Sequence, residues 1–129
     1  MPFTRITLRQ GYSDADLHLL STLLQQALVA EFDVPEQDCF QIIEMLPVPQ
    51  RMFDRHYLSG GRSENFVLFQ VTAGRPRSRQ QKQSFYHALC AALQTEMAIG
   101  PDDVMIIIQF NSSEEWSFSG GQMLGQAAL

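Results

Sequence analysis

The sequence predicts an α+β fold, α/β-like in its connections, in which duplicated β-α-β units form a four-stranded mixed sheet with two helices on one face. Apolar and polar residues alternate from Phe3 to Leu8, as in a half-buried strand. Phe66 to Thr72 also indicates a strand, and the two halves match at a spacing of roughly 65 residues. Because β-α-β crossovers are right-handed, both helices should lie on the same face of the sheet.

The first half of the chain has clear helix signals. Ser13 and Asp16 have the spacing of a capping box, and apolar residues then recur at helical period as far as Phe32. Val34-Pro35 ends this predicted helix. After it we expect a strand at about Phe40 to Met45 and a hairpin arm from Met52 to Leu58 that closes at Ser59-Gly60-Gly61.

The second half repeats this plan. Ser78 and Gln81 form another capping box, and the apolar helix face that follows includes Phe85 and Leu89. Met105 to Phe110 is the predicted closing strand. We therefore expect a single domain over residues 1–129, with pseudo-repeats at about 2–62 and 63–118 and a C-terminal tail.

Composition limits the classes of function. A chain of 129 residues with 45% hydrophobic residues supports one core, and a net charge of −5 argues against nucleic-acid and anionic-membrane partners. No run of eighteen apolar residues occurs, and Met1 to Gln10 lacks a signal-peptide core, so we expect a cytoplasmic protein. Cys39 and Cys90 share no metal-ligand spacing with the three histidines, which indicates reduced thiols and no metal site.

Pro2 directly follows the initiator Met1. Removing that methionine would leave a proline whose ring nitrogen is a free secondary amine, and an α-amino group titrates near pH ~8 in model peptides. Such an amine can act as a base, an acid or a nucleophile at working pH. The alternative is that Pro2 only begins an edge strand, where proline is tolerated.

Basic residues concentrate in one short segment. Four of the nine Lys and Arg residues lie within eight positions, at Arg75, Arg77, Arg79 and Lys82. Arg75 precedes a proline and Arg77 precedes the Ser78 cap, so both guanidinium groups could bind a small carboxylate at the start of the second helix. The alternative is a solvated basic turn, which is how we interpret Arg79 and Lys82.

These features together resemble the tautomerase superfamily, and within it the malonate semialdehyde decarboxylase-like family. The resemblance rests on Pro2, Asp33-Val34-Pro35, Arg75-Pro76-Arg77 and the segment from Asn111 to Phe118, and it covers nearly the whole chain. It implies a homotrimer that buries the sheet face without helices. Two positions depart from the family pattern, since Glu115 and Ser119 stand where aspartate and glycine are expected.

The resemblance also implies roles for individual residues. Pro2 would be the catalytic amine, Asp38 its acidic partner, and Arg75 and Arg77 the carboxylate-binding pair. Trp116 and Phe118 would form an apolar wall, although either could simply be a core aromatic. Asp38 could likewise only cap a turn, as we expect of Asp103 in the other half.

The implied reaction is decarboxylation of a small 3-oxo acid, malonate semialdehyde, to acetaldehyde and carbon dioxide, with no metal or organic cofactor. Three alternatives stay open: keto-enol tautomerisation of a 2-oxo acid such as phenylpyruvate, hydration of an unsaturated acid with Asp38 or Glu115 activating water, and a non-catalytic trimer that binds a carboxylate or a protein. The first differs from decarboxylation mainly in the protonation state of Pro2.

Overall fold

A computed structural model describes residues 1–125 as one mixed sheet with two helices. The last four residues of the predicted C-terminal tail lie outside the described residues. The strands are β1 (Pro2–Arg9), β2 (Gln41–Leu46), β3 (Val67–Ala73) and β4 (Val104–Phe110), and the helices are α1 (Asp14–Phe32) and α2 (Arg79–Met97). The strand order is β2-β1-β3-β4. β1 and β3 pair antiparallel, whereas the outer pairs are parallel, so the predicted fold class is confirmed.

Both helices begin as the capping boxes predict. The Ser13 hydroxyl accepts from the Asp16 N–H at 3.1 Å, and the Ser78 hydroxyl accepts from the Gln81 N–H at 3.1 Å. The helices also end alike, because Asp33 and Ala98 both adopt the left-handed conformation, with φ of 54° and 55°. The two β-α-β units therefore share their helix boundaries as well as their strand pairing.

The core lies between the helices and one face of the sheet. Ile6 and Leu8 of β1 and Phe69 and Val71 of β3 point into it and are almost fully buried. The fully buried positions of the helices are Leu20, Leu24, Leu28, Phe32, Phe85, Leu89 and Leu93. The two helices pack against each other on this face. None of the helices in residues 1–125 is long and apolar enough to cross a bilayer.

The prediction of a hairpin arm from Met52 to Leu58 is wrong. After a short 3₁₀ turn at Val48–Gln50, the chain forms turns without a strand up to β3. The Asp54 carboxylate accepts from the N–H groups of His56 and Tyr57 at 2.8 and 2.7 Å, so two amides that a hairpin would use are bound locally. These hydrogen bonds also lower the pKa of Asp54 below its ordinary value.

The sheet face opposite the helices is apolar and exposed. Ile42, Met105 and Ile107 keep 46%, 40% and 40% of their surface accessible. An ion pair between Arg5 and Glu44, at 2.9 Å, crosses from β1 to β2 on the same face. A cavity of about 340 Å³ opens beside β3 and β4, and its lining residues are Met52, Phe53, Asp54, Tyr57, Arg62, Phe66, Leu68 and Met105.

Candidate active site

The candidate site lies where the start of β1 meets the end of β3. Antiparallel pairing places Pro2 opposite Ala73. One residue further on, the Gly74 N–H donates to the Met1 carbonyl at 3.0 Å. The Met1 amine forms an ion pair with Asp38 Oδ2 at 2.6 Å. The N-terminus, Asp38 and the end of β3 therefore form one cluster.

Asp38 is held by the turn that connects α1 to β2. Its N–H donates to the Pro35 carbonyl at 3.0 Å, and its own carbonyl accepts from Gln25 Nε2 at 3.0 Å. Its side chain is 17% exposed, so the carboxylate is partly shielded from water. This backbone anchoring leaves the carboxylate free to bind the chain's terminal amine.

Asp103, at the matching place in the second half, does something different. Its carboxylate accepts from the Ser63 N–H and the Ser63 hydroxyl, each at 2.6 Å, and the residue is only 7% exposed. Asp103 therefore caps a turn, as the sequence predicts. Of the two equivalent acids, Asp38 is the one beside the N-terminal amine.

Arg77 is a buried cation. It is 6% exposed, and its Nε and Nη2 atoms donate to the Phe32 carbonyl at 3.2 and 2.8 Å. Nη1 donates to the Arg75 carbonyl, and the guanidinium lies 5.2 Å from the centre of the Phe32 ring. The Arg75 side chain is more exposed and makes a longer contact, from Nη2 to the same Phe32 carbonyl at 3.3 Å.

Both guanidinium groups therefore meet at the last carbonyl of α1, the negative end of that helix. From the sequence we expect them instead at the first backbone amides of α2. There, the Ser78 N–H is already bound by Gln81 Oε1 at 2.9 Å, so the capping box supplies its own acceptor. The arginines remain adjacent, as predicted, but a different helix end organises them.

No carboxylate within residues 1–125 forms an ion pair with either arginine. Burial lowers the pKa of Arg77, the neighbouring Arg75 charge lowers it further, and Asp33 partly opposes both. Three of its five N–H donors are used by protein carbonyls, which leaves donors available. A small anion at this place would therefore gain two cations that form no ion pair with a carboxylate of residues 1–125.

An aromatic wall stands beside Gly74, on the same side as Met1. Trp116 stacks on Phe118 with ring centres 5.5 Å apart, and Phe118 lies 5.4 Å from Phe40. The Trp116 indole N–H donates to Asn111 Oδ1 at 2.6 Å, and the Asn111 N–H donates to the Ala73 carbonyl at 2.9 Å. The wall is thus fixed to the same strand end as the N-terminus.

Comparison with known proteins shows the family of the chain. A family model described as "Tautomerase enzyme" matches residues 38–119. The chain belongs to the tautomerase superfamily. A relative in Bacillus subtilis (strain 168), the probable tautomerase YusQ, is 32% identical over 122 residues, which are 95% of this chain and 96% of that protein.

Solved structures of the superfamily show the same architecture. A malonate semialdehyde decarboxylase, described with decarboxylase and hydratase activities, has a TM-score of 0.87 and 34% identity, covering 93% of this chain and 92% of that one. A fused 4-OT, described as a symmetric trimer, has a TM-score of 0.77 at 16% identity and covers 94% of each chain. The second likeness supports the fold alone.

Within this tautomerase-superfamily enzyme, three residues of the site were not singled out by sequence reasoning. Gly74 belongs to the recognised segment that ends at Ser78, and Phe40 begins a predicted strand, but neither receives a role from the sequence because their importance depends on the pairing of distant segments. Asn111 belongs to the recognised segment that ends at Phe118, but its hydrogen bond to Trp116 could not be foreseen. Glu115 binds the Ser112 N–H and hydroxyl at 3.2 and 3.0 Å, so its carboxylate caps a turn.

Proposed function

We propose that this enzyme is a cofactor-independent decarboxylase of a small 3-oxo acid, converting malonate semialdehyde to acetaldehyde and carbon dioxide. The observation that carries the proposal is the pair of adjacent arginines, one buried and neither neutralised by a described carboxylate, next to the strand end that pairs with Pro2. Such a pair binds a carboxylate strongly and in a fixed orientation. In the proposal, Arg75 and Arg77 bind the substrate carboxylate.

Pro2 acts in this scheme after Met1 has been removed. The Met1 amine lies 2.6 Å from Asp38, so the first amine of the chain is the natural partner of that carboxylate. A prolinium beside Asp38 is stabilised in its charged form, which raises the pKa of the Pro2 amine. Asp38 thus sets the protonation state of the catalytic group.

Loss of carbon dioxide requires an electron sink at the 3-oxo group. Protonated Pro2 can hydrogen-bond the 3-oxo oxygen, so that the electrons of the breaking C–C bond form an enolate. Neutral Pro2 can instead form an iminium with C3, the carbon of the 3-oxo group, and the electrons of the breaking C–C bond then form an enamine. In the enolate route, C2 takes up one proton after carbon dioxide has left and acetaldehyde results. In the iminium route, the same protonation gives the iminium of acetaldehyde, and water then hydrolyses its C–N bond to release acetaldehyde and the free Pro2 amine. Trp116 and Phe118 provide an apolar surface in both routes.

A second candidate is keto-enol tautomerisation of a 2-oxo acid such as phenylpyruvate. It is favoured by the 32% identity to a protein named as a probable tautomerase. This reaction uses neutral Pro2 as a base, so it requires a lower pKa of the amine than prolinium chemistry does. The same arginines would bind the carboxylate of either substrate.

The proposal includes a homotrimer in the cytoplasm. Ile42 on β2 and Met105 and Ile107 on β4 are exposed apolar residues near the two edges of the sheet face without helices, and burying such residues between subunits is favourable. The fused 4-OT neighbour is described as a trimer. Sedimentation of the purified protein tests this part, and a monomer at micromolar concentration would contradict it.

The test of function compares two arginines of the same segment. Arg75→Met should raise the KM for malonate semialdehyde by at least about 10-fold, since it removes a charged hydrogen-bond donor to the carboxylate. Arg79→Met, the matched control, removes an exposed arginine four residues away and should leave KM unchanged. Acetaldehyde release and phenylpyruvate enolisation are followed in parallel, and activity toward phenylpyruvate alone would select the second candidate.

A further inference from the structure

We infer that the Gly74 backbone N–H is a catalytic group that donates a hydrogen bond to the 3-oxo oxygen of the substrate. The inference rests on the proposed function. It starts from one contact, the 3.0 Å hydrogen bond from the Gly74 N–H to the Met1 carbonyl. That carbonyl carbon is bonded to the Pro2 nitrogen, the atom at which the proposed chemistry occurs.

Removal of Met1 takes away this acceptor but not the donor. The Gly74 N–H then points to the position that the Met1 carbonyl oxygen occupied. An oxygen at that position is bonded to a carbon that is itself bonded to Pro2 nitrogen. A substrate carbonyl attacked by Pro2 has this same arrangement, with its carbon joined to nitrogen and its oxygen where the Met1 oxygen lies. A carbonyl oxygen that is only hydrogen-bonded to prolinium lies close to the same place. The donor therefore serves both routes.

The absence of a side chain at Gly74 matters for the same reason. A Cβ built there would stand 2.4 Å from Met1 Cε and 2.9 Å from Trp116 Nε1, both closer than real Cβ contacts. The volume above the Gly74 backbone is therefore already used by the group attached to Pro2 nitrogen. Asn111 holds the Trp116 indole at its edge. Only glycine lets a bound molecule approach this N–H without displacing Trp116.

Chemically, the N–H acts where negative charge develops. In the enolate route, the C1–C2 electrons pass to C2–C3 and the carbonyl π electrons to the oxygen, which Gly74 and prolinium then stabilise together. In the iminium route, attack by the Pro2 lone pair places charge on the same oxygen before it is protonated and leaves as water. Removing one such donor typically lowers kcat by about 10²–10³-fold.

The kinetic experiment replaces the Ala73–Gly74 amide by an ester in the full-length, processed protein. The ester removes the N–H and adds no side chain. We expect kcat for malonate semialdehyde to fall about 10²–10³-fold, a larger factor than any rise in KM, because the hydrogen bond strengthens as charge develops on the oxygen. The matched control is an ester in place of the Ile99–Gly100 amide. Gly100 precedes the first residue of β4, whereas Gly74 lies beside its last residue, so the two sites are separated by roughly 20 Å, the length of seven strand residues. An unchanged kcat in the Gly74 ester would overturn the inference.

A binding experiment separates this inference from the proposed activity. Protein labelled with ¹⁵N at its eight glycines is titrated with 3-hydroxypropanoate and with propanoate, which differ in the oxygen on C3 and do not decarboxylate. The Gly74 amide proton should move downfield with 3-hydroxypropanoate only. Equal shifts with both acids, or no shift with either, would refute the role of Gly74 even if acetaldehyde is formed. A selective shift without acetaldehyde formation would instead reject the decarboxylase and retain the oxygen-binding donor.

Discussion

Replacing Arg77 by methionine should destabilise the protein, whereas the same change at Arg75 should not. Arg77 is 6% exposed and donates to two carbonyl acceptors, those of Phe32 and Arg75. Charge-assisted hydrogen bonds contribute about 1.5 kcal/mol each at the low end, hence about 3 kcal/mol for two. Burial of the uncompensated guanidinium, which lowers the pKa of Arg77, offsets part of this.

The expected net loss for Arg77→Met is therefore about 2 kcal/mol, which corresponds to roughly 8 °C in Tm for a chain of this size. Arg75→Met removes an exposed side chain with one contact of 3.3 Å, so its effect should stay within about 0.5 kcal/mol. Both variants should lose carboxylate binding.

Thermal unfolding followed by circular dichroism, at one fixed protein concentration, measures the difference between the two variants. Arg77→Lys is the matched control, because it keeps the charge but has one donor nitrogen in place of three, and its Tm should fall between those of wild type and methionine. Equal Tm values for the two methionine variants would refute the structural role assigned to Arg77.

Three further predictions concern ionisable groups. Asp38→Asn removes the carboxylate beside the N-terminal amine, so the limb of the pH–rate profile that reports ionisation of Pro2 should move to lower pH. A limb at the same pH in both proteins would show that Asp38 does not influence ionisation of Pro2. Iodoacetamide should label exposed Cys39 much faster than Cys90, because burial raises the pKa of the Cys90 thiol. Peptide mass spectrometry measures the order of labelling, and faster labelling of Cys90 would contradict the prediction. The pKa values of Asp54 and Glu64 are lowered in the folded protein, by the amides of the turn and by Arg55 respectively, so their stabilisation is present above about pH 4.5 and is lost as pH falls through the lowered values. Amide exchange in residues 51–66 should accordingly accelerate in acid relative to intrinsic rates, and a pH-independent protection factor would contradict this.

The fold was predictable because its signals are local and repeated. The Ser13 and Ser78 capping boxes specify where both helices begin, and a spacing of about 65 residues relates the two units. The hairpin prediction failed because alternation alone cannot reveal that Asp54 binds two neighbouring amides. In that segment, side-chain hydrogen bonds compete successfully with strand pairing.

The candidate site was predictable only at the level of residue types. Pro2, Arg75 and Trp116 occupy recognisable positions in motifs. The structure adds that the Asp38 carboxylate contacts the N-terminal amine. The carbonyl that binds Arg77 lies 45 residues away in sequence, so no local pattern indicates it. Gly74 lies in the recognised segment, but the motif assigns it no role because its contribution is a main-chain N–H and an absent side chain.

The central claim is that the amine of Pro2 carries the chemistry. Its most direct test is intact-mass analysis of the purified protein, followed by incubation with malonate semialdehyde and measurement of acetaldehyde, with Pro2→Ala as the variant. The account predicts a mass without Met1 and acetaldehyde formation that falls at least about 10²-fold in the variant. Acetaldehyde formation by protein that retains Met1, or equal rates in both proteins, would contradict it.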